Sequence, residues 1–229
     1  LKLCFERLKK THDVSDDSSI DSHISISVNR DSIFEDTMEC FENCNIKSLL
    51  SADLVVYFDE EEGIDEGGLT REWYGLLTRE IFRPHYELFS PTGDGVTFQP
   101  NPASIRNESH LRYFIFVGRL IGRALVDGQV LDVHFTRSFY KHILAQPVSF
   151  RDFKVVDANL YKNLNMILQH NLEDLCLDLT FSADAEEGST GEVDLVPNGS
   201  NIEVTEENKE EYVRLLCHHK MTSSVRPQI

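Results

Sequence analysis

The sequence predicts an α+β fold that is predominantly helical, and three observations lead to this prediction. Apolar residues recur at helical spacing along two long segments, 69–81 and 111–125. HISISV, 23–28, alternates apolar and polar residues, and DLVVYFD, 53–59, is rich in β-branched and aromatic residues, so both are predicted strands. The order is mostly helices with scattered strands, which favours α+β over a regular alternation of strands and helices.

The helices of the first half have recognisable starts and ends. Asp31 or Ser32 can cap a helix that carries Ile33 and Phe34 on its apolar face. A second helix is predicted from Leu69, and Pro84 ends it because proline lacks a backbone N–H.

The strongest helical pattern of the chain follows Asn107 or Ser109. Its predicted apolar stripe consists of Leu111, Phe114, Val117, Gly118, Ile121 and Leu125. Gly118 and Gly122 are one turn apart and are expected to let another backbone approach closely.

The second half alternates between helices and short extended segments. Helices are predicted over 135–144 and 159–170, and DLTFS, 178–182, is a predicted strand. The Asn-Gly pair at 198–199 predicts a hairpin or a tight strand pair, and Thr205 is expected to cap the last helix.

Charge excludes several classes of partner. With 22 Lys and Arg against 39 Asp and Glu, the net charge is −17. Such a surface repels phosphate backbones and anionic membranes, so neither nucleic acid nor a membrane is an expected partner, and a basic protein is a better one. No cofactor is expected, because no cofactor-binding motif is present.

The cysteines and the chain start indicate the compartment. Five cysteines at scattered spacing are typical of free thiols in a reducing environment. The start, LKLCFERLKK, is too charged for a signal peptide, and the longest apolar run, 114–126, is shorter than the roughly 20 residues of a membrane span. These observations predict an intracellular protein of the cytoplasm, the nucleus or both.

The stretch DEEEGIDEGGLTREWY, 59–74, could be a calcium loop, a phosphate-binding loop or a structural joint. A calcium loop starting at Asp59 fails because Gly63, Ile64 and Thr70 occupy places that need an oxygen ligand, a glycine and a glutamate. A phosphate loop fails because the glycines are not followed by Lys-Ser or Lys-Thr and the acidic run repels phosphate.

The interpretation as a strand-to-helix joint fits better. Gly67 and Gly68 provide the backbone freedom for a sharp entry into the helix. We expect one of them to have a positive φ or a close backbone contact, and we expect Trp73 to be mostly buried.

The residue types reveal no reactive centre. Cys40 and Cys44 are one helical turn apart but lack two further partners at zinc spacing. Cys217, His218 and His219 are adjacent in a predicted helix and point in different directions, so one ion cannot easily use all three. Without further information these features predict only a soluble α+β interaction domain.

Six segments in the same order resemble the HECT-type ubiquitin ligases. They are DSIFEDT, LVVYFDEEEGIDEGGLTREWY, NESHLRYFIFVGRLIGRAL, FTRSFYKHIL, DLTFS and LVPNGSNIEVTEENKEEYV. The resemblance covers about 27–229 and is greatest to the giant HECT ligases that carry UBA and WWE domains.

The resemblance implies a HECT N-lobe, in which helices pack around small β-sheets. Residues 1–22 would be a leader helix and flexible acidic linker, and 23–182 the large subdomain of the N-lobe. Residues 183–229 would be the start of the smaller subdomain, which binds the ubiquitin-conjugating enzyme.

The activity implied by the resemblance is ubiquitin transfer. A cysteine of the C-terminal lobe would accept ubiquitin from a conjugating enzyme as a thioester and pass it to a substrate lysine. The His-Thr-Cys-Phe-Asn-like segment that carries this cysteine is absent, so we expect an inactive N-lobe fragment with the nucleophile beyond Ile229. The alternative is a non-catalytic binding module, or pseudo-ligase, for ubiquitin or a conjugating enzyme. Protein substrates would be recruited by domains outside this chain.

The family also has a non-covalent ubiquitin site on the large subdomain. The matching positions here are Leu88, Phe89, Val96 and Phe181. The tyrosines that some members carry in this region are replaced around Pro91 and Val96, and Phe181 is alternatively a core residue of a strand.

Overall fold

A computed structural model describes residues 22–61, 67–184 and 191–229. The predicted leader lies outside these residues except for Ser22, as do the middle of the acidic stretch and residues 185–190. The described residues form two compact units: one runs to Leu88 and resumes over Ser109–Val133, and the other consists of Phe89–Glu108 and His134–Ile229. We call them unit 1 and unit 2. The boundary predicted between residues 182 and 183 does not coincide with this division into units, and it stays a prediction.

Unit 1 has a two-stranded parallel sheet covered by helices. Its elements are β1 His23–Val28, α1 Ile33–Asn43, α2 Ile46–Ser51, β2 Asp53–Phe58, α3 Gly68–Ile81, a 3-10 helix Pro84–Tyr86 and α4 His110–Asp127. The strands pair from His23 opposite Asp53 to Val28 opposite Phe58. Alternate side chains of β1 are buried, as its sequence pattern predicts.

An aromatic cluster forms the core of unit 1. Phe34 stacks on Tyr86 with ring centroids 4.3 Å apart, and its ring meets Phe116 edge-on at 5.2 Å. Phe41 lies 6.1 Å from Trp73. Ser32 begins α1, but its hydroxyl donates to Asp36 Oδ2 at 2.8 Å instead of accepting from a backbone amide.

The predicted apolar stripe of α4 is partly wrong. Phe114 and Val117 are buried as expected, but Leu111 and Gly118 are exposed. The buried face also includes Phe116, Leu120 and Arg123, and a hydrophobic pattern could not select an arginine.

The glycines of α4 have no close neighbour. Within the described residues, nothing lies within 4 Å of the Cβ positions of Gly118 and Gly122 beyond the helix's own backbone. The predicted close approach of another backbone is therefore wrong for this part of the chain.

Unit 2 contains two small sheets and five further helices among its described residues. Its elements are β3 Phe89–Pro91, β4 Thr97–Pro100, a 3-10 helix Pro102–Arg106, β5 His134–Phe135, α5 Arg137–Ile143, α6 Phe150–Val156, α7 Ala158–Gln169, α8 Leu172–Leu175, β6 Ser182–Asp184, β7 Glu192–Asp194, a 3-10 helix Gly199–Asn201, α9 Lys209–Met221 and a 3-10 helix Ser223–Gln228. β4 pairs antiparallel with β3 and parallel with β5, and β6 pairs antiparallel with β7.

The core of unit 2 lies among its helices. α5 and α7 confirm the helices predicted over 135–144 and 159–170, and Leu164 and Ile167 of α7 are buried. These residues pack in one cluster with Phe153, Phe181 and Tyr212. The sequence analysis did not predict α2 or α6.

Two predictions near residue 200 are wrong. Asn198 has a φ of 61° and leads into the 3-10 helix, so the Asn-Gly pair does not close a hairpin. A Cβ on Gly199 would lie 2.1 Å from the Phe181 carbonyl oxygen, so this position needs glycine for a close backbone approach. Thr205 does not cap the last helix, which starts at Lys209 after Asn208. Within the described ranges, no helix has both the length and the apolar content to cross a bilayer.

Candidate functional site

The acidic stretch joins β2 to α3, as the sequence analysis expected. Gly67 has a φ of 92°, which favours glycine, and Trp73 is fully buried with its indole N–H donating to Thr37 Oγ1 at 3.0 Å. Both expectations about the joint are therefore confirmed.

Carboxylates of the joint bind protein groups. Arg30 donates to Glu61 at 2.5 and 3.0 Å and to Glu72 at 2.7 Å, and its guanidinium lies 4.2 Å from the ring centroid of Phe58. Asp59 accepts from Ser27 Oγ at 2.5 Å. Among the described residues, no group of three or more His, Cys, Asp and Glu side chains is arranged to hold a metal ion.

The turn between β3 and β4 is fixed by Asp94. Its carboxylate accepts from the Thr92 hydroxyl at 3.0 Å, from the backbone N–H groups of Val96 and Thr97 at 2.9 and 2.8 Å, and from the Thr97 hydroxyl at 2.6 Å. The hydrogen bonds from Thr97 and Val96 lower the pKa of Asp94 well below its usual value. The sequence analysis missed this residue, although an Asp followed by Gly is a familiar turn signal.

Val96 and Phe89 of this hairpin differ in their exposure to solvent. Val96 is 61 % exposed at the turn. Phe89 is buried, with its ring 5.3 Å from Phe135 and 6.1 Å from Phe139. The hairpin therefore presents an apolar side chain from a turn that Asp94 holds in one conformation.

The other two predicted ubiquitin-site residues are buried. Phe181 is 4 % exposed in the helical core of unit 2, with its ring 5.7 Å from Tyr212. Leu88 is buried in unit 1. Only Val96 of the four predicted residues thus presents a large apolar surface to solvent.

The described cysteines differ in environment. Cys217 is buried, and burial raises the pKa of its thiol to about 12. Cys176 is exposed, has a positive φ of 48° and donates to the Glu173 carbonyl oxygen at 3.7 Å. Cys40 and Cys44 are half-buried, and Cys4 lies outside the described residues.

Comparison with known proteins identifies the family. A family model described as "HECT-domain (ubiquitin-transferase)" matches residues 75–229. E3 ubiquitin-protein ligase UPL2 from Arabidopsis thaliana is 49 % identical over 223 residues, which cover 91 % of this chain and 6 % of the relative. E3 ubiquitin-protein ligase HUWE1 from Mus musculus is 44 % identical over 208 residues, covering 90 % of this chain and 5 % of the relative.

A shorter relative has the same resemblance. E3 ubiquitin-protein ligase HACE1 from Danio rerio is 44 % identical over 203 residues, covering 88 % of this chain and 22 % of the relative. The chain thus spans between 5 and 22 % of the length of these relatives. With the ordered motifs and the α+β architecture, the match over residues 75–229 places this chain in the HECT-domain family, as an N-lobe.

Proposed function

We propose that this chain is the N-lobe of a HECT-type ubiquitin-protein ligase. The whole protein accepts ubiquitin from a conjugating enzyme as a cysteine thioester and transfers it to lysines of protein substrates. The family match over residues 75–229 carries this proposal, and the three relatives, each named an E3 ubiquitin-protein ligase, support it.

The thioester cysteine is proposed to lie beyond Ile229. The nucleophile must be a thiolate, which a lowered pKa favours. Cys217 and Cys40 have the opposite property, because burial raises the pKa of each thiol to about 12. Neither environment suits an acceptor of ubiquitin.

A thioester assay tests the activity and the location of the nucleophile. Residues 1–229 and the same chain extended through the downstream coding sequence are each mixed with a ubiquitin-charged conjugating enzyme. We expect a ubiquitin adduct only on the extended protein, and an excess of a thiol such as dithiothreitol should cleave it. A reducible adduct on residues 1–229 would overturn the location, and the absence of an adduct on the extended protein would overturn the ligase activity.

A binding role for the fragment itself is the second candidate function. Val96 stands exposed on a turn held by Asp94, which is a favourable arrangement for a small apolar contact with ubiquitin. The side chains of Leu88, Phe89 and Phe181 are buried and would not make the contact themselves.

Titration of isotope-labelled residues 1–229 with ubiquitin tests this candidate by NMR. We expect shifts over 89–97 that Val96→Asp removes and that Ile105→Asp retains. Ile105 is a suitable control because it is 70 % exposed in the same unit but lies in the 3-10 helix after the hairpin. Absence of shifts over the hairpin, or equal loss in both variants, would contradict a ubiquitin contact at Val96.

The remaining partners and the compartment are also proposals. Residues 183–229 would begin the subdomain that binds the conjugating enzyme, and substrates would be recruited through other domains of the whole protein. The net charge of −17 argues against nucleic acid and membrane surfaces as partners. The scattered cysteines support a location in the cytoplasm or the nucleus.

A further inference from the structure

Cys40 and Cys44 form a pair of thiols at the end of α1. Cys40 lies in the last turn of the helix, and the Cys44 backbone N–H donates to the Cys40 carbonyl oxygen at 3.1 Å. This backbone hydrogen bond between residues four apart places both side chains on the same side of the helix end, and both residues are half-buried. The two sulfurs are therefore neighbours and remain within reach of a small reagent.

The surroundings of Cys40 keep its thiol protonated. Burial, followed by the neighbouring Cys44 sulfur, raises the pKa of Cys40 to about 12. The pair also lies at the negative end of the α1 dipole, and the last turn of α1 contains no basic residue. The Cys40 thiol should therefore react slowly with peroxides, because the thiolate is the reacting form.

The spacing of the pair favours a bridging atom over a direct sulfur–sulfur bond. Residues four apart on a helix have Cβ atoms about 5–6 Å apart, whereas a disulfide needs about 3.5–4.5 Å. An atom bonded to both sulfurs spans this gap without distortion of the last turn. A zinc ion would need two further ligands, and the described residues offer no group of three or more candidate ligands.

We propose that Cys40 and Cys44 form a two-thiol binding site for trivalent arsenicals. With phenylarsine oxide, the arsenic–oxygen bond breaks, two arsenic–sulfur bonds form, and both thiol protons leave with the oxygen as water. Arsenic remains trivalent, so the step needs no oxidant or reductant. The bridge would connect the last turn of α1 to the residue that follows it.

Intact-mass spectrometry of residues 1–229 with phenylarsine oxide tests the site. We expect one phenylarsenic group per chain, with the loss of two protons, that survives an excess of 2-mercaptoethanol and is removed by dithiothreitol. Cys40→Ser and Cys44→Ser should each abolish this adduct, because a single thiol does not resist a monothiol competitor. Cys176→Ser and Cys4→Ser are the matched controls and should retain it.

A second measurement needs no variant. The wild-type chain is treated with phenylarsine oxide, freed of excess reagent and unfolded in urea, so that every unprotected thiol can react. The bound arsenical should then protect Cys40 and Cys44 from N-ethylmaleimide while leaving Cys176 open to it, as read by peptide mapping. Equal alkylation of Cys40 and Cys44 with and without the arsenical would overturn the proposal. The proposal would also fail if a monothiol-resistant adduct persisted in either serine variant or were lost in a control.

Discussion

Among the described residues, each unit buries one side chain that carries a full charge at neutral pH, and the two charges have opposite signs. Arg123 of unit 1 and Asp152 of unit 2 are each only 2 % exposed. Burying a charge is unfavourable unless hydrogen bonds and an opposite charge compensate it. The hydrogen bonds that Asp152 accepts from Ser149 follow a short-range sequence rule and could be predicted. The carbonyl groups that bind Arg123 are distant in the sequence and could not be.

Arg123 is compensated by two carbonyl groups far away in the sequence and by one carboxylate on its own helix. It donates to the carbonyl oxygens of Leu49 and Ala52 at 2.8 and 2.7 Å, at the end of α2, and it pairs with Asp127 at 2.7 Å. Asp127 also accepts from the Tyr74 hydroxyl of α3 at 2.7 Å. Burial and then the nearby Asp127 raise the pKa of Tyr74, so the phenol keeps its proton and remains the donor. One arginine thus connects α2, α3 and α4.

Asp152 is compensated by partners nearby in the sequence. It accepts from the Ser149 N–H and hydroxyl, both at 2.8 Å, which completes a capping box at the start of α6. Lys141 of α5 donates to it at 2.5 Å, and Arg137 lies 3.3 Å away. The buried cation thus satisfies carbonyl groups at a helix end, whereas the buried anion satisfies donors at a helix start.

Replacing the buried arginine should have the largest effect on stability. Arg123→Met should lower the free energy of unfolding by about 3–5 kcal/mol, because it leaves Asp127 without its cation and two buried carbonyl groups without donors. Urea unfolding at neutral pH measures the loss. Arg119→Met is the matched control one turn earlier on α4, since Arg119 is less buried and donates to the Phe41 carbonyl oxygen at 2.7 Å. Equal losses in the two variants would mean that Arg123 is no more important than an ordinary contact.

Replacing the aspartate should have a smaller effect at neutral pH. Asp152→Asn keeps the shape but removes the charge, and we expect a loss of about 2 kcal/mol from the weakened cap and the Lys141 contact. Arg137 is 74 % exposed, so water can replace part of its interaction with Asp152. Urea unfolding of both proteins at neutral pH checks this expectation.

The same variant should reveal a pH dependence of the network. Burial is the largest influence on Asp152 and by itself raises its pKa, but the hydrogen bonds from Lys141 and Ser149 outweigh it, so the pKa is lowered in the folded state. The stability from Asp152 is therefore fully present above the unfolded pKa of about 3.9 and is lost as the pH falls through the lower folded pKa. The difference between wild type and Asp152→Asn should stay constant down to about pH 5 and shrink below about pH 4. A difference that is already small at pH 6 would contradict a lowered pKa.

Replacing Gly67 in the joint after β2 should lower the stability less, and only through the conformation of the backbone. Gly67→Ala should cost about 1–2 kcal/mol, because alanine is strained at a φ of 92°. Gly68→Ala is the matched control, since Gly68 has no positive φ and no atom lies within 4 Å of its Cβ position. Thermal unfolding should separate the two variants, and a Gly68→Ala protein as unstable as Gly67→Ala would show that the positive φ is not the cause.

Local chemistry could be predicted from the sequence, whereas networks between distant segments could not. The alternation of β1, the joint at Gly67 and the buried Trp73 follow from short-range rules and were predicted. The capping box of Ser149 and Asp152 obeys such a rule and could have been found. The burial of Arg123 could not, because its two carbonyl acceptors lie 71 and 74 residues away and no periodicity marks a buried arginine. For the candidate site, the resemblance selected four residues by position. That Val96 is the exposed one among them depends on the folded hairpin and its Asp94 turn, which the sequence pattern did not reveal.

The smallest expected effect belongs to Arg30, an exposed cation that contrasts with the buried Arg123. Arg30 pairs with Glu61 and Glu72, and all three side chains are between 39 and 44 % exposed. Salt screens such pairs strongly, so Arg30→Gln should lower the melting temperature slightly at low salt and have almost no effect at about 1 M salt. The loss in Arg123→Met should persist at both salt concentrations, because the bonds of Arg123 to the two carbonyl groups are buried. A salt-independent loss in Arg30→Gln would instead assign the role of Arg30 to its contact with the Phe58 ring, 4.2 Å away, which salt does not weaken in the same way.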